Sequence, residues 1–302
     1  MKQQTMILCC LLPGLLPWWG ACTRDGSPVV AAGAGVEKRA DGFRFTEGPA
    51  VDREGNIYFT DQPTDRILKW STDGQLSVFL SRSGRANGLY FDRDGYLLSC
   101  SDSANELWRI DMKDGSHTVL IADFEGKKLN GPNDLWVHPG GGIYFTDPLY
   151  PRDYWTRDPQ MQQPGRYVYF LAPGRQQPVP VATDLEQPNG IVGTPDGKTL
   201  YVADIHAGKT YAYDIRPDGM LSNQRLFAPL GSDGMTLDSR GNIYLTGHGV
   251  TVFNPKGEQI EHIPVEADWT ANVCFGGKDM KTLFITASEY LYSLRMKVGG
   301  VR

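Results

Sequence analysis

Six times along the chain an acid or amide stands at the same place in a repeating unit, just before a short apolar run: Glu47, Asn87, Asn133, Asn189, Asp233 and Asn272. Each lies five residues ahead of a turn-start position (Asp52, Asp92, His138, Thr194, Asp238, Gly277). Each lies about fourteen ahead of a second landmark: Asp61, Asp102, Asp147, Asp204, Gly247 or Ala287. A period of about 40 residues, each unit carrying several short strands, predicts an all-β propeller of four-stranded blades. Blades sit radially around one axis, so a residue at a fixed place in every blade recurs as a ring. This ring is made of oxygen donors, the chemistry a hard cation such as calcium requires.

Blade 1 shows the unit most plainly. Gly48 to Asp52, Asn56 to Thr60, Arg66 to Trp70 and Leu76 to Leu80 are four runs rich in β-branched and aromatic residues, separated by turns such as Arg53-Glu-Gly55 and Thr72-Asp-Gly74. The pattern returns at Gly88 to Leu120, Asp134 to Val181, Gly190 to Phe227 and Gly234 to Val265. From Val273 to Met296 only three runs can be counted. The N-terminal run Val36 to Phe45 is available to fill the missing edge, so the ring of six blades is expected to close through an N-terminal strand. No stretch sustains helical periodicity. The propeller is expected over residues 36 to 302, and 35 Gly and 20 Pro suit its many tight turns.

Ahead of it, residues 1 to 21 carry one charge, Lys2, and an apolar run from Met6 to Trp19 broken by Pro13 and Pro17. This reads as a signal sequence, since the run is too short for a stable membrane span. Its loss takes the formal charge from −5 to −6, because Lys2 goes with it. A mildly acidic domain without a basic block argues against nucleic acid as a partner. Trp19-Gly-Ala-Cys22 places small residues before a Cys as a bacterial lipobox does, with Trp19 where Leu is usual. Lipidation of Cys22, anchoring the protein to a membrane in the periplasm or at the cell surface, and plain secretion both remain open. Residues 22 to 35 read as a tether. Cys100 and Cys274 fall in apolar runs of non-adjacent blades and are expected to be buried free thiols.

Signatures of common chemistries are missing: no G-x-S-x-G, no H-E-x-x-H, no Walker A loop and no dinucleotide fingerprint. The five His residues (117, 138, 206, 248, 262) do not pair at metal-ligand spacing. His206 and His248 fall in loops on the ring face, where an imidazole can assist proton transfer; solvated loop histidines are the plainer alternative. Taken singly, the ring Asn residues are turn residues, and Asn-Gly at 87, 130 and 189 is a common turn dipeptide. Their pairing with Glu47 and Asp233 changes that reading. Two carboxylates facing one axis repel unless a cation or protons stand between them. Two carboxylates and two amides fall short of the six to eight ligands calcium prefers, leaving places for water and substrate. Asp61, Asp102, Asp147 and Asp204 are read as strand-ending carboxylates that accept backbone N–H groups. On the same face as the ring, the loop from Asp147 to Arg166 is long enough to cover the channel mouth as a lid, or to pack on itself around Tyr154 and Trp155.

Phe45-Thr-Glu-Gly-Pro49, Leu129-Asn-Gly-Pro-Asn-Asp134, Gln187-Pro-Asn-Gly-Ile191 with Thr194-Pro-Asp-Gly-Lys-Thr-Leu-Tyr201, Ser232-Asp-Gly-Met235, and Asn272-Val-Cys-Phe-Gly-Gly277 with Leu283-Phe-Ile-Thr-Ala287 resemble, in order, the motifs of the gluconolactonase/regucalcin/luciferin-regenerating family of six-bladed propellers. The resemblance covers roughly residues 36 to 297. It implies Glu47, Asn133, Asn189 and Asp233 as ligands of a divalent metal, most often calcium, with zinc, magnesium or manganese in some members, and Asp233 also as the acid/base group. It implies a hydrolase acting on a small-molecule sugar lactone such as gluconolactone. In one respect the chain departs from it. Where regucalcin-type members carry an Arg two residues before the ligand Asn, this chain has Gly131. Recognition of substrate is then expected from Asn130, from Arg152, Tyr154 and Trp155 of the lid, and from His206. A phosphotriesterase-like or aryl esterase activity and a non-catalytic, calcium-stabilised binding propeller are the alternatives.

Overall fold

The computed structural model describes residues 26–156 and 158–301, and Cys22 and the residues read as a signal sequence lie outside them. Twenty-four strands form six antiparallel sheets of four, and one 3-10 turn, Gln62–Thr64, is the only helical element among the described residues. In five blades the four strands follow one another in sequence, as in Thr46–Val51, Ile57–Asp61, Arg66–Trp70 and Leu76–Ser81 of blade 1. The sixth is completed from the other end of the chain. Glu37–Ala40 pairs antiparallel with Tyr290–Arg295, Glu37 opposite Ser293 and Ala40 opposite Leu291, so the expected closure is present.

Hydrophobic pattern explains the order within a blade. The second strands, such as Ile57–Asp61 and Ile143–Asp147, have both faces covered and are buried along their whole length, whereas the outer strand Leu76–Ser81 is largely exposed. Truncating a fully buried ring such as Phe59 is expected to cost about 3–5 kcal/mol. Cys100 and Cys274 are buried free thiols.

The first strands touch one another in sequence around the axis, and the last, Thr270–Gly276, touches the first, Thr46–Val51. At that contact the residue after the ring position is glycine in four blades. A Cβ on Gly48 or Gly88 would run into the backbone oxygen of Asn87 or Asn133, and one on Gly190 would stand 2.7 Å from Asp233 O. These glycines therefore serve close packing between blades. Asn87 and Asn189 sit inside strands Ala86–Phe91 and Pro188–Gly193, so their Asn-Gly pairs are not turns.

In four blades the innermost ladder is interrupted at the ring position. The register shifts between Glu47 and Ala50, Ala86 and Leu89, Pro188 and Ile191, and Thr270 and Asn272. In blades 3 and 5 the strand begins two residues after Asn133 and Asp233. Bulges of this kind re-aim side chains and leave backbone groups unpaired. Buried threonines of the second strands take up the loss: Thr60 donates to Asn87 O, Thr246 to Ala271 O and Thr286 to Asn272 O.

The described part of the segment read as a tether is docked. Ser27 Oγ accepts the amides of Val29 and Val30, Lys297 N donates to Val29 O, and Val29 is buried among Met296, Val298 and their neighbours. An apolar pair behind a hydroxyl that turns the chain is enough to hold it, a contact that low periodicity did not disclose.

Candidate metal and active site

At the axis, on the face reached by the loops between second and third strands, a pocket of about 210 Å³ is lined by Phe45, Glu47, Asn87, Asn133, Tyr150, Arg152, Asn189, Ile205, Asp233 and Trp269. All four residues implied as ligands are among them. Glu47, Asn133 and Asn189 are buried, and Asp233 keeps partial access to solvent. The larger cavity, about 740 Å³, opens among the Asp-Gly turns of the opposite face. Asp134 and Asn272 line it, but none of the four implied ligands does. The four implied ligands meet at the smaller one.

Its side chains are held by directed bonds. Asn189 Nδ2 donates to Asp233 Oδ1 at 2.7 Å and to the Tyr150 hydroxyl at 3.0 Å, while Trp269 Nε1 donates to Asp233 Oδ2 at 2.6 Å. Glu47 Oε2 accepts the Gly48 amide at 2.6 Å and Asn272 Nδ2 at 3.3 Å. Asn189 Oδ1 and Asn87 Oδ1 are buried and accept no hydrogen bond. A buried amide oxygen without a donor is costly in an apolar site and ordinary in one built for a cation.

Charge at the site tells the same story. Burial, followed by the charge of Asp233, pushes the Glu47 carboxyl well above its usual range. Burial also raises Asp233, against the opposing effects of the Trp269 and Asn189 donors and of the Arg152 charge. Asp134, one residue along from the ring, is pushed up to about 7 by burial. Two carboxylates that cannot comfortably ionise together, beside orphan amide oxygens, fit a hard dication that takes oxygen ligands. Among the described residues no three His, Cys, Asp or Glu side chains come together, so a cation here depends on the amides.

The residues expected to recognise substrate divide. Arg152 lines the pocket, its guanidinium 5.4 Å from the centre of the Tyr150 ring. Tyr154 and Trp155 both donate to Asp102 Oδ2, at 2.5 and 3.0 Å, and Arg85 lies 4.0 Å from the Tyr154 ring centre. They fasten the loop to blade 2. Asn130 is fully buried; its amide donates to Asp147 O and Gly165 O, and its oxygen accepts from Gln162 N and Gln163 N. It holds the two ends of the loop and is not in the pocket wall. His206 is exposed, 3.8 Å from Glu186, and likewise outside the wall. The exposed His248 meets Trp269 edge to face, which puts it next to the residue that holds Asp233.

The second landmark behaves as a strand-ending carboxylate three times. Asp61 accepts the amides of Arg44 and Phe45, Asp147 those of Asn130 and Gly131, and Asp204 those of Glu186 and Gln187. Asp102 departs from the series by accepting the Tyr154 hydroxyl and the Trp155 indole of the 147–166 loop. In blade 2 the amide equivalent to those, Arg85 N, goes to Asp65 Oδ1 instead. Tyr150, Phe45, Ile205 and Trp269 are pocket residues that the repeat did not disclose. An aromatic within three residues of a ring position, as at Phe45 and Trp269, was the available signal.

This fold and pocket define a class, and the chain belongs to the SMP-30/gluconolactonase/LRE-like region family, whose model matches residues 45–289. It is 28% identical over 294 residues to the gluconolactonase of Zymomonas mobilis, covering 88% of this chain and 82% of that protein. It is 27% identical over 273 residues to the diisopropyl-fluorophosphatase of Loligo vulgaris, covering 80% and 85%. Among solved structures, a gluconolactonase from Xanthomonas campestris superposes with a TM-score of 0.82 at 31% identity, over 88% of this chain and 91% of that one. Regucalcin from Agrobacterium tumefaciens shares the fold at a TM-score of 0.73 and 20% identity, over 90% and 96%.

Proposed function

We propose that this protein is a divalent-metal-dependent lactonase that hydrolyses a sugar lactone of the gluconolactone kind. The observation that carries the reading is the convergence of Glu47, Asn133, Asn189 and Asp233 on one pocket, with the Asn189 oxygen left without a donor. Family membership and relatives named as gluconolactonases support it. Glu47, Asn133, Asn189 and Asp233 would hold a dication there, calcium by the hardness of the donors, and it would supply Lewis acidity toward the lactone carbonyl.

The protein's own part is positioning and proton transfer. Asp233 has one carboxylate oxygen on Asn189 Nδ2 and the other on Trp269 Nε1, which fixes its plane toward the pocket. It takes the proton from the water that attacks the carbonyl carbon, and returns it to the ring oxygen that leaves. The same two donors keep its basicity modest. Lactones are reactive esters, so a weak base suffices. Tyr150 and Trp269 wall the pocket against bulk water.

The relative named diisopropyl-fluorophosphatase makes organophosphate hydrolysis the second reading, since a tetrahedral phosphorus centre makes similar demands on a metal and a carboxylate. The test is hydrolysis of D-glucono-1,5-lactone, followed with a pH indicator, by metal-stripped protein with calcium, zinc, magnesium or manganese restored in turn. Aryl esters and a fluorophosphate run alongside. Lactone turnover above the spontaneous rate, restored by a metal, supports the proposal. Turnover of the fluorophosphate alone replaces it with the second reading. Metal binding with no turnover of any of them leaves a calcium-stabilised binding propeller. We also propose export, with Cys22 acylated; absence of labelled palmitate incorporation that is sensitive to C22S would leave plain secretion.

A further inference from the structure

Three of the ten residues around the pocket carry charge: Glu47, Asp233 and Arg152. A dication offsets the two carboxylates. Arg152 is then a positive charge in excess, and no carboxylate lies within ion-pair distance of it among the described residues. Its Nε is buried and makes no hydrogen bond. The group is nevertheless held in place. Arg152 lies over the Tyr150 ring, Trp155 N donates to its carbonyl, and two residues on the loop is fastened to Asp102. A guanidinium is a planar fork of donors that matches a carboxylate, and leaving it half-buried without an acceptor is unfavourable.

We propose that the lactone this site accepts carries a carboxylate at the end remote from its carbonyl, and that Arg152 receives it. The inference rests on the lactonase reading and narrows it to acidic sugar lactones. Glu47 and Asp233 would repel such a substrate from the metal-free pocket, so acidity of the substrate and occupancy by the dication are linked. Among the residues that line the pocket Arg152 alone is cationic, so the positive charge of the protein wall comes from this loop.

The test compares kcat/KM of calcium-loaded protein for D-glucaro-1,4-lactone, its uncharged counterpart D-glucono-1,4-lactone, and a 6-phosphorylated gluconolactone. Preference for the carboxylate-bearing lactone over the uncharged one by about ten- to a hundredfold is expected, the range for a charge-assisted hydrogen-bonded contact. R152Q should bring the ratio close to one and R152K should restore part of it, in protein whose circular dichroism is unchanged. Calorimetric binding of D-glucarate against D-gluconate gives a reading that needs no turnover. If no lactone is hydrolysed but glucarate binds more tightly and R152Q abolishes the difference, the anion site stands while the lactonase reading falls. Equal kcat/KM for charged and uncharged lactones, or a preference that survives R152Q, overturns the proposal. A preference for the phosphorylated lactone that R152Q removes overturns the carboxylate assignment.

Discussion

The indole of Trp269 donates a hydrogen bond to Asp233 Oδ2 at 2.6 Å, from a residue three places before the ring position of the neighbouring blade. This bond favours the ionised carboxyl and lowers the pKa that burial raises. In W269F the Asp233 pKa should rise, because burial then acts with one fewer donor opposing it. The acid limb of the kcat/KM profile is then expected to move to higher pH, with the plateau largely retained. An unmoved limb would show that Asp233 is not the titrating base.

Attachment of the 147–166 loop predicts a second outcome. Both Tyr154 and Trp155 rely on one oxygen of Asp102, and an amide there offers weaker acceptance and two donors facing donors. D102N should loosen the loop between Asp147 and Arg166. Tryptic cleavage at Arg152 in folded protein is expected to quicken several-fold, and KM to rise more than kcat falls.

In metal-free protein, stability should decline as pH rises through the neutral range. Glu47, Asp134 and Asp233 are raised above ordinary carboxyl values chiefly by burial, Asp134 to about 7. A group raised in the folded state binds its proton more tightly there than in the unfolded chain. Its stabilisation is complete below about pH 4 and is lost as pH climbs through the folded value. For Asp134 the loss is at most about 4 kcal/mol. The melting temperature of chelator-treated protein is expected to fall between about pH 4.5 and 8, and saturating calcium to flatten that slope by replacing protons at Glu47 and Asp233.

Gly131 has φ 149°, and its amide donates to Asp147 Oδ1 at 2.8 Å. A side chain resists that backbone conformation. G131R, which supplies the residue regucalcin-type relatives carry, should therefore destabilise the protein by about 1–3 kcal/mol in urea unfolding, rather than simply add a substrate contact.

What could be read in advance follows from which interactions repeat. Glu47, Asn133, Asn189 and Asp233 were legible because the same local geometry recurs in each blade and leaves a periodic trace. Closure through Glu37–Ala40 was legible because blade 6 was one strand short. Trp269, Tyr150 and Phe45 enter the pocket from loops of differing length, where no period constrains them. Asn130 carries a polar side chain beside an implied ligand, and only the return of the chain at Gly165 shows that it is consumed in holding the loop. Likewise, Val29 gave no sign of docking, because its partners lie more than 260 residues away in sequence.

The pairing of Glu37–Ala40 with Tyr290–Arg295 has a temporal consequence. A chain delivered N-terminus first presents its opening strand hundreds of residues before the partner arrives, and contacts so distant in sequence form slowly. The first blades can assemble while the rest is still being made. The axial pocket cannot, since Glu47 and Asp233 come to line it together only when the circle shuts. The proposed activity is thus expected to require the closed ring, and a truncation that removes only the last strand should abolish it although Asp233 lies more than fifty residues upstream.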